Sequence, residues 1–172
     1  MNQWESIQHK IVSLETAETI VSSWKIDDKK VVFTNGCFDI LHRGHVTYLA
    51  KAADNGDFLV VGLNSDASVK RQEKGANRPI NDENSRAYVL AALSFVDLVV
   101  IFNEDTPIKV IETLLPNVLV KGADYDESIT DQNNKKYIVG SKEVNSSGGK
   151  VKTVELEEGF STTAIIEKIT GK

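Results

Sequence analysis

The sequence predicts an α/β protein in which helices cover a doubly wound parallel sheet of about five strands. Short apolar runs alternate along the chain with amphipathic helical patterns. The runs at 58–63 and 97–102 are continuously apolar, which is typical of parallel strands buried on both faces. Polar clusters follow several of these runs, at the strand ends where doubly wound sheets bind their ligands.

The individual elements are predicted from periodicity and from turn and capping residues. Strands are expected at 31–34, 58–63, 97–102, 118–120 and 151–156, the last at the sheet edge. Helices are expected at 6–24 with a break near Ser13, from His45 to 54, at 66–71 after a cap at Ser65 or Asp66, at 81–93, from Thr106-Pro107 to Pro116, and after 161–163. Residues 123–150 are expected to form short helical pieces and a loop. We therefore predict one domain at 25–172, preceded by an amphipathic N-terminal helix at 1–24.

The helix at 81–93 is expected to pack one face against the core. Its apolar positions Tyr88, Val89, Ala92 and Leu93 are expected to face the core. Arg86 is expected on another face of the helix.

Composition excludes several classes of function. The 172 residues carry 20 basic and 25 acidic side chains, a net charge of -5, so no basic surface indicates nucleic acid or an anionic membrane. No apolar run reaches the length of a membrane span and the start resembles no signal peptide, so a cytoplasmic protein is expected. The single cysteine, Cys37, excludes an intramolecular disulfide and a multi-cysteine zinc site. Its position beside a strand end favours a small buried thiol over a nucleophile.

The segment 31–45 carries the chemistry that stands out most. Its apolar strand ends at Thr34-Asn35-Gly36, and His42 and His45 then flank Arg43-Gly44 where a helical pattern begins. A turn that leads into a helix N-terminus presents backbone N–H groups and the positive end of the helix dipole to an anion. Two imidazoles at that point can donate hydrogen bonds to phosphate oxygens. The segment predicts a phosphate site; the alternative is two ordinary polar residues near a turn.

Other polar segments can contribute to such a site. Ser161, Thr162 and Thr163 at a helix start are first of all capping residues, and they also suit phosphate oxygens. Cations at Lys70, Arg71, Lys74 and Arg78 can approach a phosphate, although clustered charges are more often solvated. The dinucleotide pattern G-x-G-x-x-G and the phosphate loop G-x-x-x-x-G-K-[S/T] are both missing from the sequence.

Six motifs in order resemble the cytidylyltransferase-like nucleotidyltransferases, a family with a Rossmann-like sheet and an H-x-G-H motif. They are T-N-G-C-F-D-I-L-H-R-G-H at 34–45, N-S-D at 64–66, R-P-I at 78–80 followed by Arg86, V-K-G-A-D-Y at 120–125, G-S-K-E-V at 140–144 and E-G-F-S-T-T at 158–163. Within the family the chain is most similar to the heptose 1-phosphate adenylyltransferases, the ADP-heptose synthase domains. The resemblance covers about residues 25–172.

The resemblance implies the following roles, all carried over from the family's motifs. Nucleotide-binding residues would be Thr34, Asn35, Gly36, Phe38, His42, His45, Lys121, Gly122, Asp124, Ser161, Thr162 and Thr163. Catalysis would depend on His42, His45 and Lys74, while the second substrate would meet Asp39, Asn64, Asp66, Arg71, Arg78 and Arg86. Mg²⁺ would be bound mainly through ATP phosphates, without a protein metal site, and the chain would form a homodimer.

The activity that the resemblance implies is transfer of AMP from ATP to heptose 1-phosphate, giving ADP-heptose and pyrophosphate for lipopolysaccharide core synthesis. The nearest alternative is a cytidylyltransferase that acts on glycerol 3-phosphate or another polyol phosphate. A flavin or pantetheine adenylyltransferase fits the motifs at 120–125 and 140–144 less well, and an aminoacyl-tRNA synthetase would need further domains. An alternative of another class is a non-catalytic regulatory domain that binds a nucleotide.

Overall fold

The computed structural model describes residues 2–72 and 78–171. In this part of the chain the strands are β1 Ile11–Val12, β2 Val31–Gly36, β3 Phe58–Asn64, β4 Leu98–Phe102, β5 Val118–Gly122 and β6 Lys150–Val154. The helices are α1 Gln3–Lys10, α2 Leu14–Ile26, α3 Arg43–Ala53, α4 Asp66–Arg71, α5 Glu83–Ala91, α6 Ile108–Leu114, α7 Ser141–Ser146 and α8 Thr162–Thr170. None of the helices in these two ranges is long and apolar enough to cross a membrane.

The strands form one parallel sheet in the order β1-β4-β3-β2-β5-β6. The order runs outward from β2 through β3 to β4, and the chain then returns to place β5 on the other side of β2. This reversal confirms the doubly wound sheet, and β6 lies at the edge as predicted. Since ligands of such sheets bind where the order reverses, the carboxyl ends of β2 and β5 become the expected site.

The N-terminal segment differs from the expected helix at 6–24. It forms two helices, and Ser13 begins the second by accepting a hydrogen bond from the Thr16 N–H at 3.1 Å. The predicted break near Ser13 is therefore present, but the break contains a sixth strand, β1, that we did not predict. Ile11 and Val12 pair with Val99 and Val100 of β4. Two residues are too few to show a strand period, so the sequence pattern gave no indication of them.

Alternate residues of the central strands enter two separate hydrophobic cores. Leu59 and Val61 of β3 lie in the core beneath α3 and α5, whereas Val60 between them lies in the core beneath α2 and α6. All three side chains are almost completely buried. Burial on both faces explains the continuous apolar run at 58–63, since neither set of alternate positions faces water.

Two local predictions are wrong. On α5 the buried residues are Arg86, Ala87, Leu90 and Ala91, whereas Val89, which is 50% exposed, and Ala92, the C-cap residue, are exposed instead of facing the core. Arg86 turns inward because buried backbone carbonyls accept its hydrogen bonds, a circumstance that helical spacing cannot reveal. At α6 no capping by Thr106 is found, because Pro107 holds the N-cap position without a side-chain hydrogen bond.

Candidate active site

A cavity of about 870 Å³ opens at the carboxyl ends of β2 and β5. Predicted site residues that line it are Asn35, Gly36, Phe38, His42, His45, Asn64, Lys121, Gly122, Asp124, Ser161 and Thr162. Side chains from the first half and the last third of the chain thus meet in one place. The volume is in the range of pockets that enclose small organic ligands.

His42 and His45 form a stacked pair at the beginning of α3. His42 is the N-cap residue, and its Nδ1 accepts a hydrogen bond from the His45 backbone N–H at 3.4 Å. The two rings stack with centroids 3.7 Å apart and planes inclined by 20°. The Phe38 ring meets His45 edge-on at 5.3 Å. The backbone turn, the helix cap and the aromatic contact together fix both imidazoles at the positive end of the α3 dipole.

Both histidines are held in the neutral form at pH 7. Burial lowers the pKa of His42. Burial and, to a smaller extent, the neighbouring His42 lower the pKa of His45 to about 4. A hydrogen bond with the Ile40 backbone acts in the opposite direction and raises this pKa. A neutral imidazole still carries one N–H donor, so the pair can donate hydrogen bonds to phosphate oxygens without being protonated. With these lowered pKa values, His42 and His45 do not bind phosphate as positively charged groups in the unliganded chain.

Lys121 connects the two strands between which the cavity lies. Its Nζ donates a hydrogen bond to the Asn35 Oδ1 at 2.7 Å, joining the end of β5 to the end of β2. The same ammonium group lies 5.1 Å from the centroid of the Tyr125 ring. Next to it, a Cβ at Gly122 would lie 2.5 Å from Asp124 Oδ1, so the backbone there must remain glycine for Asp124 to keep its place. The cavity therefore holds a positive charge at the strand ends and a carboxylate beside it.

The hydroxyl residues at 161–163 divide into two groups. Ser161 is the N-cap of α8 and accepts a hydrogen bond from the Ala164 N–H at 3.0 Å, as predicted for a capping residue. Ser161 and Thr162 line the cavity, whereas Thr163 is exposed and does not line it. A ligand phosphate could therefore meet two of the three predicted side chains directly.

Thr34 lies inside the protein and does not line the cavity. Its Oγ1 is 2.7 Å from the Tyr48 hydroxyl oxygen, and that hydroxyl donates a hydrogen bond to the Val120 carbonyl at 3.2 Å. Burial also raises the pKa of Tyr48, so the phenol stays neutral. Thr34 thus helps to join β2, α3 and β5 beneath the site.

Most of the residues predicted for the second substrate are engaged elsewhere in the fold. Asp39 is almost completely buried, pairs with Arg78 and accepts hydrogen bonds from the backbone N–H groups of Ile80 and Asn81. Arg71 pairs with Asp105 at 2.5 Å on the surface. These ion pairs and hydrogen bonds occupy the side chains of Asp39, Arg71 and Arg78, and none of the three lines the cavity.

Arg86 and Asp66 form a second such network. The Arg86 guanidinium donates to the carbonyls of Cys37 and Asn64 at 2.6 and 2.8 Å and to Asp66 Oδ1 at 2.7 Å. Neither Arg86 nor Asp66 lines the cavity, whereas Asn64 does. A direct role of Arg86 and Asp66 in substrate binding stays a prediction. In the structure, their hydrogen bonds support the turn that follows β2. Lys74, predicted to be catalytic, lies outside the described residues.

The cavity also contains residues that we did not predict. They are Cys37, Gly44, Tyr48, Gln72, Asp105, Thr106, Pro107, Tyr125, Val139, Leu156, Glu157 and Phe160. Tyr125 and Phe160 stand inside motifs already noted at 120–125 and 158–163, so their signal was present in the sequence. Gln72 had no such signal, because it reaches the site by accepting a hydrogen bond from the Cys37 thiol at 3.3 Å. Cys37 itself is buried, as expected.

Residues 33–168 match the cytidylyltransferase-like family, a region that contains the histidine pair, Lys121 and the start of α8. The chain belongs to the cytidylyltransferase-like family. The family expected from the six motifs is thereby confirmed.

Curated relatives of this cytidylyltransferase-like chain include two proteins named bifunctional protein HldE. The protein from Geotalea uraniireducens is 56% identical over 160 residues, which are 93% of this chain and 31% of the relative. The protein from Campylobacter jejuni is 53% identical over 159 residues, which are 92% of this chain and 32% of the relative. The chain therefore spans about a third of the length of the curated relatives it matches.

Two solved structures resemble the cytidylyltransferase-like fold described above. The lipopolysaccharide core biosynthesis protein from Thermoplasma volcanium is 31% identical with a TM-score of 0.56, covering 75% of this chain and 97% of that chain. Pantoate-beta-alanine ligase from Francisella tularensis is 16% identical with a TM-score of 0.59, covering 94% of this chain and 78% of that chain. At 16% identity the second similarity shows the fold alone.

Proposed function

We propose that this chain is a nucleotidyltransferase that transfers AMP from ATP to heptose 1-phosphate, forming ADP-heptose and pyrophosphate for lipopolysaccharide core synthesis. The observation that carries the proposal is the cavity in which the neutral His42–His45 pair lies with Lys121 and the hydroxyl residues of α8. Membership of the cytidylyltransferase-like family supports the reaction class. The HldE relatives and the lipopolysaccharide core biosynthesis protein support the choice of acceptor.

The proposed reaction needs no general base. A phosphate oxygen of the sugar phosphate is already ionised at neutral pH, and it attacks the α-phosphorus of ATP. The bond from the α-phosphorus to the bridging oxygen breaks, and pyrophosphate leaves with the electron pair. The protein then has two tasks, which are in-line positioning of both substrates and stabilisation of the charge that develops on the phosphate oxygens.

The residues in the cavity can perform both tasks. The N–H groups of His42 and His45, together with the N-terminus of α3, would donate hydrogen bonds to the α- and β-phosphates. Lys121 would supply a positive charge on the opposite side, and Ser161 and Thr162 would bind the β- and γ-phosphates. Asn35, Gly36 and Phe38 would form the turn against the nucleotide.

The proposed magnesium ion fits this arrangement as an ion carried by ATP. Among residues 2–72 and 78–171, no group of three or more histidine, cysteine or acidic side chains could hold a metal ion. The carboxylates that line the cavity belong to Asp105, Asp124 and Glu157, and Asp124 beside Lys121 offers the type of oxygen that Mg²⁺ accepts together with phosphate and water. When bound, Mg²⁺ would neutralise triphosphate charge, as in other phosphoryl-transfer reactions.

A matrix of four nucleotides against several acceptors tests the proposal. ATP, CTP, GTP and UTP are each mixed with heptose 1-phosphate, other sugar phosphates and glycerol 3-phosphate, and pyrophosphate release is measured. We expect ATP with heptose 1-phosphate to be fastest. Faster release from CTP with glycerol 3-phosphate would contradict the assignment. Tight ATP binding without release for any acceptor would instead favour a regulatory binding domain.

Two further parts of the proposal concern the cell and the assembly. Because the reaction consumes ATP, we place it in the cytoplasm, as expected from the sequence. The homodimer implied by the resemblance remains a prediction. Light scattering on the purified chain measures its mass in solution, and a monomer at micromolar concentration would contradict that prediction.

A further inference from the structure

We infer that Glu157 is a positioning residue which, together with Arg43, fixes the hydroxyl residues at the start of α8 relative to the histidine pair. The inference rests on the proposed function, because Glu157 would fix the distance between two groups of phosphate ligands, the histidine pair and the hydroxyl residues of α8. Arg43 stands between the two histidines in H-R-G-H and has no other role in the proposed reaction.

The Glu157 carboxylate holds two side chains of α3 at once. Its Oε1 pairs with Arg43 Nη2 at 2.6 Å, and its Oε2 accepts a hydrogen bond from the Thr47 hydroxyl at 2.8 Å. Arg43 and Thr47 are four residues apart and therefore lie on the same face of the helix. The Glu157 side chain is 24% exposed and that of Arg43 is 71% exposed. One carboxylate thus ties the chain before α8 to the first turns of the helix that carries His45.

Phe160 extends this connection to the catalytic end of α3. Its ring lies 6.5 Å from the His42 ring with planes inclined by 24°, and the Arg43 guanidinium lies 5.4 Å above the Phe160 ring. A Cβ at Gly44 would come within 3.0 Å of the Phe160 Cβ, so the two backbones approach closely here. Arg43 is therefore held from both sides, by Glu157 and by Phe160.

Core packing does little to hold α8 in place. None of the nine residues of α8, all of which the structure describes, is buried. By contrast, α3 buries Gly44, Tyr48, Leu49 and Ala52. The position of Ser161 and Thr162 must then depend on contacts in the segment just before them, where Glu157 and Phe160 lie. A hydrogen bond that the Lys51 Nζ donates to the Glu155 backbone carbonyl at 3.3 Å supports the same segment.

The inference separates nucleotide affinity from folding stability. An ion pair at the surface, in which the arginine side chain is 71% exposed, contributes little to the free energy of unfolding, so its loss should barely change the melting temperature. Displacement of the phosphate ligands by a fraction of an ångström should nevertheless weaken ATP binding. Because these hydroxyls would contact ATP in the ground state and in the transition state alike, the effect should fall on KM for ATP and not on kcat.

The experiment uses Glu157→Gln, Arg43→Gln and the double variant in the full chain. Glutamine keeps the size of the glutamate side chain and a hydrogen-bond acceptor for Thr47 while it removes the ion pair. Glu104→Gln is the matched control, because Glu104 pairs with Lys109 at 3.5 Å on the surface and does not line the cavity. ATP affinity is measured by calorimetry, KM and kcat by pyrophosphate release, and stability by thermal unfolding.

We expect each single substitution to weaken ATP binding and raise KM about fivefold or more, since small displacements are costly in positioned sites. The double variant should bind ATP no more weakly than Arg43→Gln, because Arg43→Gln already removes both the ion pair with Glu157 and the contact with Phe160. The control should keep the ATP affinity of the unmodified chain. Unchanged ATP affinity in Glu157→Gln, or effects of the two single substitutions that multiply in the double variant, would overturn this inference and leave the proposed function standing. Absence of ATP binding by the unmodified chain would overturn the proposed function as well.

Discussion

Replacement of Arg86 by methionine should strongly destabilise the chain, because the guanidinium joins the carboxyl ends of two strands to α5. Arg86 is 2% exposed and donates hydrogen bonds to the carbonyls of Cys37, Asn64 and Asn81 and to the Asp66 carboxylate. Methionine retains much of the apolar stem and removes every donor. The Cys37 and Asn64 carbonyls then lose a charged partner in the interior, while Asp66, at the edge, can regain water.

The magnitude follows from these losses. Each buried carbonyl left without its donor costs about 1–3 kcal/mol, and breaking a buried ion pair costs about 3–5 kcal/mol. Because Asp66 is partly hydrated and the losses overlap, we expect the free energy of unfolding to fall by about 4 kcal/mol. For a chain of this size, each kcal/mol lowers the melting temperature by roughly 2–4 °C, so the expected fall is roughly 8–16 °C.

Thermal unfolding followed by circular dichroism measures the change. Lys109→Met serves as the control, because Lys109 is an exposed partner in a surface ion pair and its loss should shift the melting temperature by about 2 °C at most. A shift below about 4 °C for Arg86→Met would refute this account of the network. If that variant kept its melting temperature and lost turnover, Arg86 would instead be the substrate ligand that the resemblance implies.

Three further outcomes are expected. His45→Ala should reduce pyrophosphate release by roughly a hundredfold or more while the melting temperature changes little, and near-normal turnover would contradict the role of its imidazole. Folding lowers the pKa of His45 from 6.5 to about 4. Between these pH values the unfolded chain binds the proton and the folded chain does not. The neutral ring therefore contributes stability that is complete above pH 6.5 and is lost as the pH falls towards 4. Unfolding curves from pH 7 to 4 should therefore show a steeper loss of stability for the unmodified chain than for His45→Asn, and parallel curves would count against it. Tyr48→Phe removes the hydroxyl between Thr34 and the Val120 carbonyl and should lower the melting temperature by roughly 2–6 °C in the same assay, whereas no change would show that the buried hydroxyl contributes nothing net.

Much of the fold follows from patterns within single segments. Apolar runs locate β2 to β5, and alternation of apolar and polar residues locates β6. Ser65 and Ser161 begin their helices as side-chain caps, which is also a local property of the sequence. The reversal of strand order also follows once the elements are recognised as parallel strands with helices between them. These features depend on residues close together in the chain, and such residues can be interpreted without a structure.

The errors concern interactions between distant segments. Burial of Arg86 depends on carbonyls at Cys37 and Asn64, 49 and 22 residues away in the sequence. Thr34 points to Tyr48 and not to the cavity for the same kind of reason, since its partner lies on the neighbouring helix. Most of the predicted residues that line the cavity stand at strand ends and helix starts, which the sequence pattern locates, and their roles stay predictions. The ion pairs of Asp39, Arg71, Arg78 and Arg86 join segments that are distant in the sequence, so the pattern could not reveal them.

The position of β5 beside β2 has a consequence for how the cavity is assembled. β2 and β5 share two register pairs, Val32 with Val118 and Phe33 with Leu119, whereas β2 and β3 share six. At the carboxyl ends of β2 and β5, the chain before residue 103 supplies His42 and His45 to the cavity, and the chain after residue 103 supplies Lys121 and Ser161. Two fragments divided in the exposed turn at 103–106 would each carry half of a nucleotide site and would complement one another only on association. A triphosphate bound to residues of both parts would stabilise the association of β2 with β5 by its binding free energy.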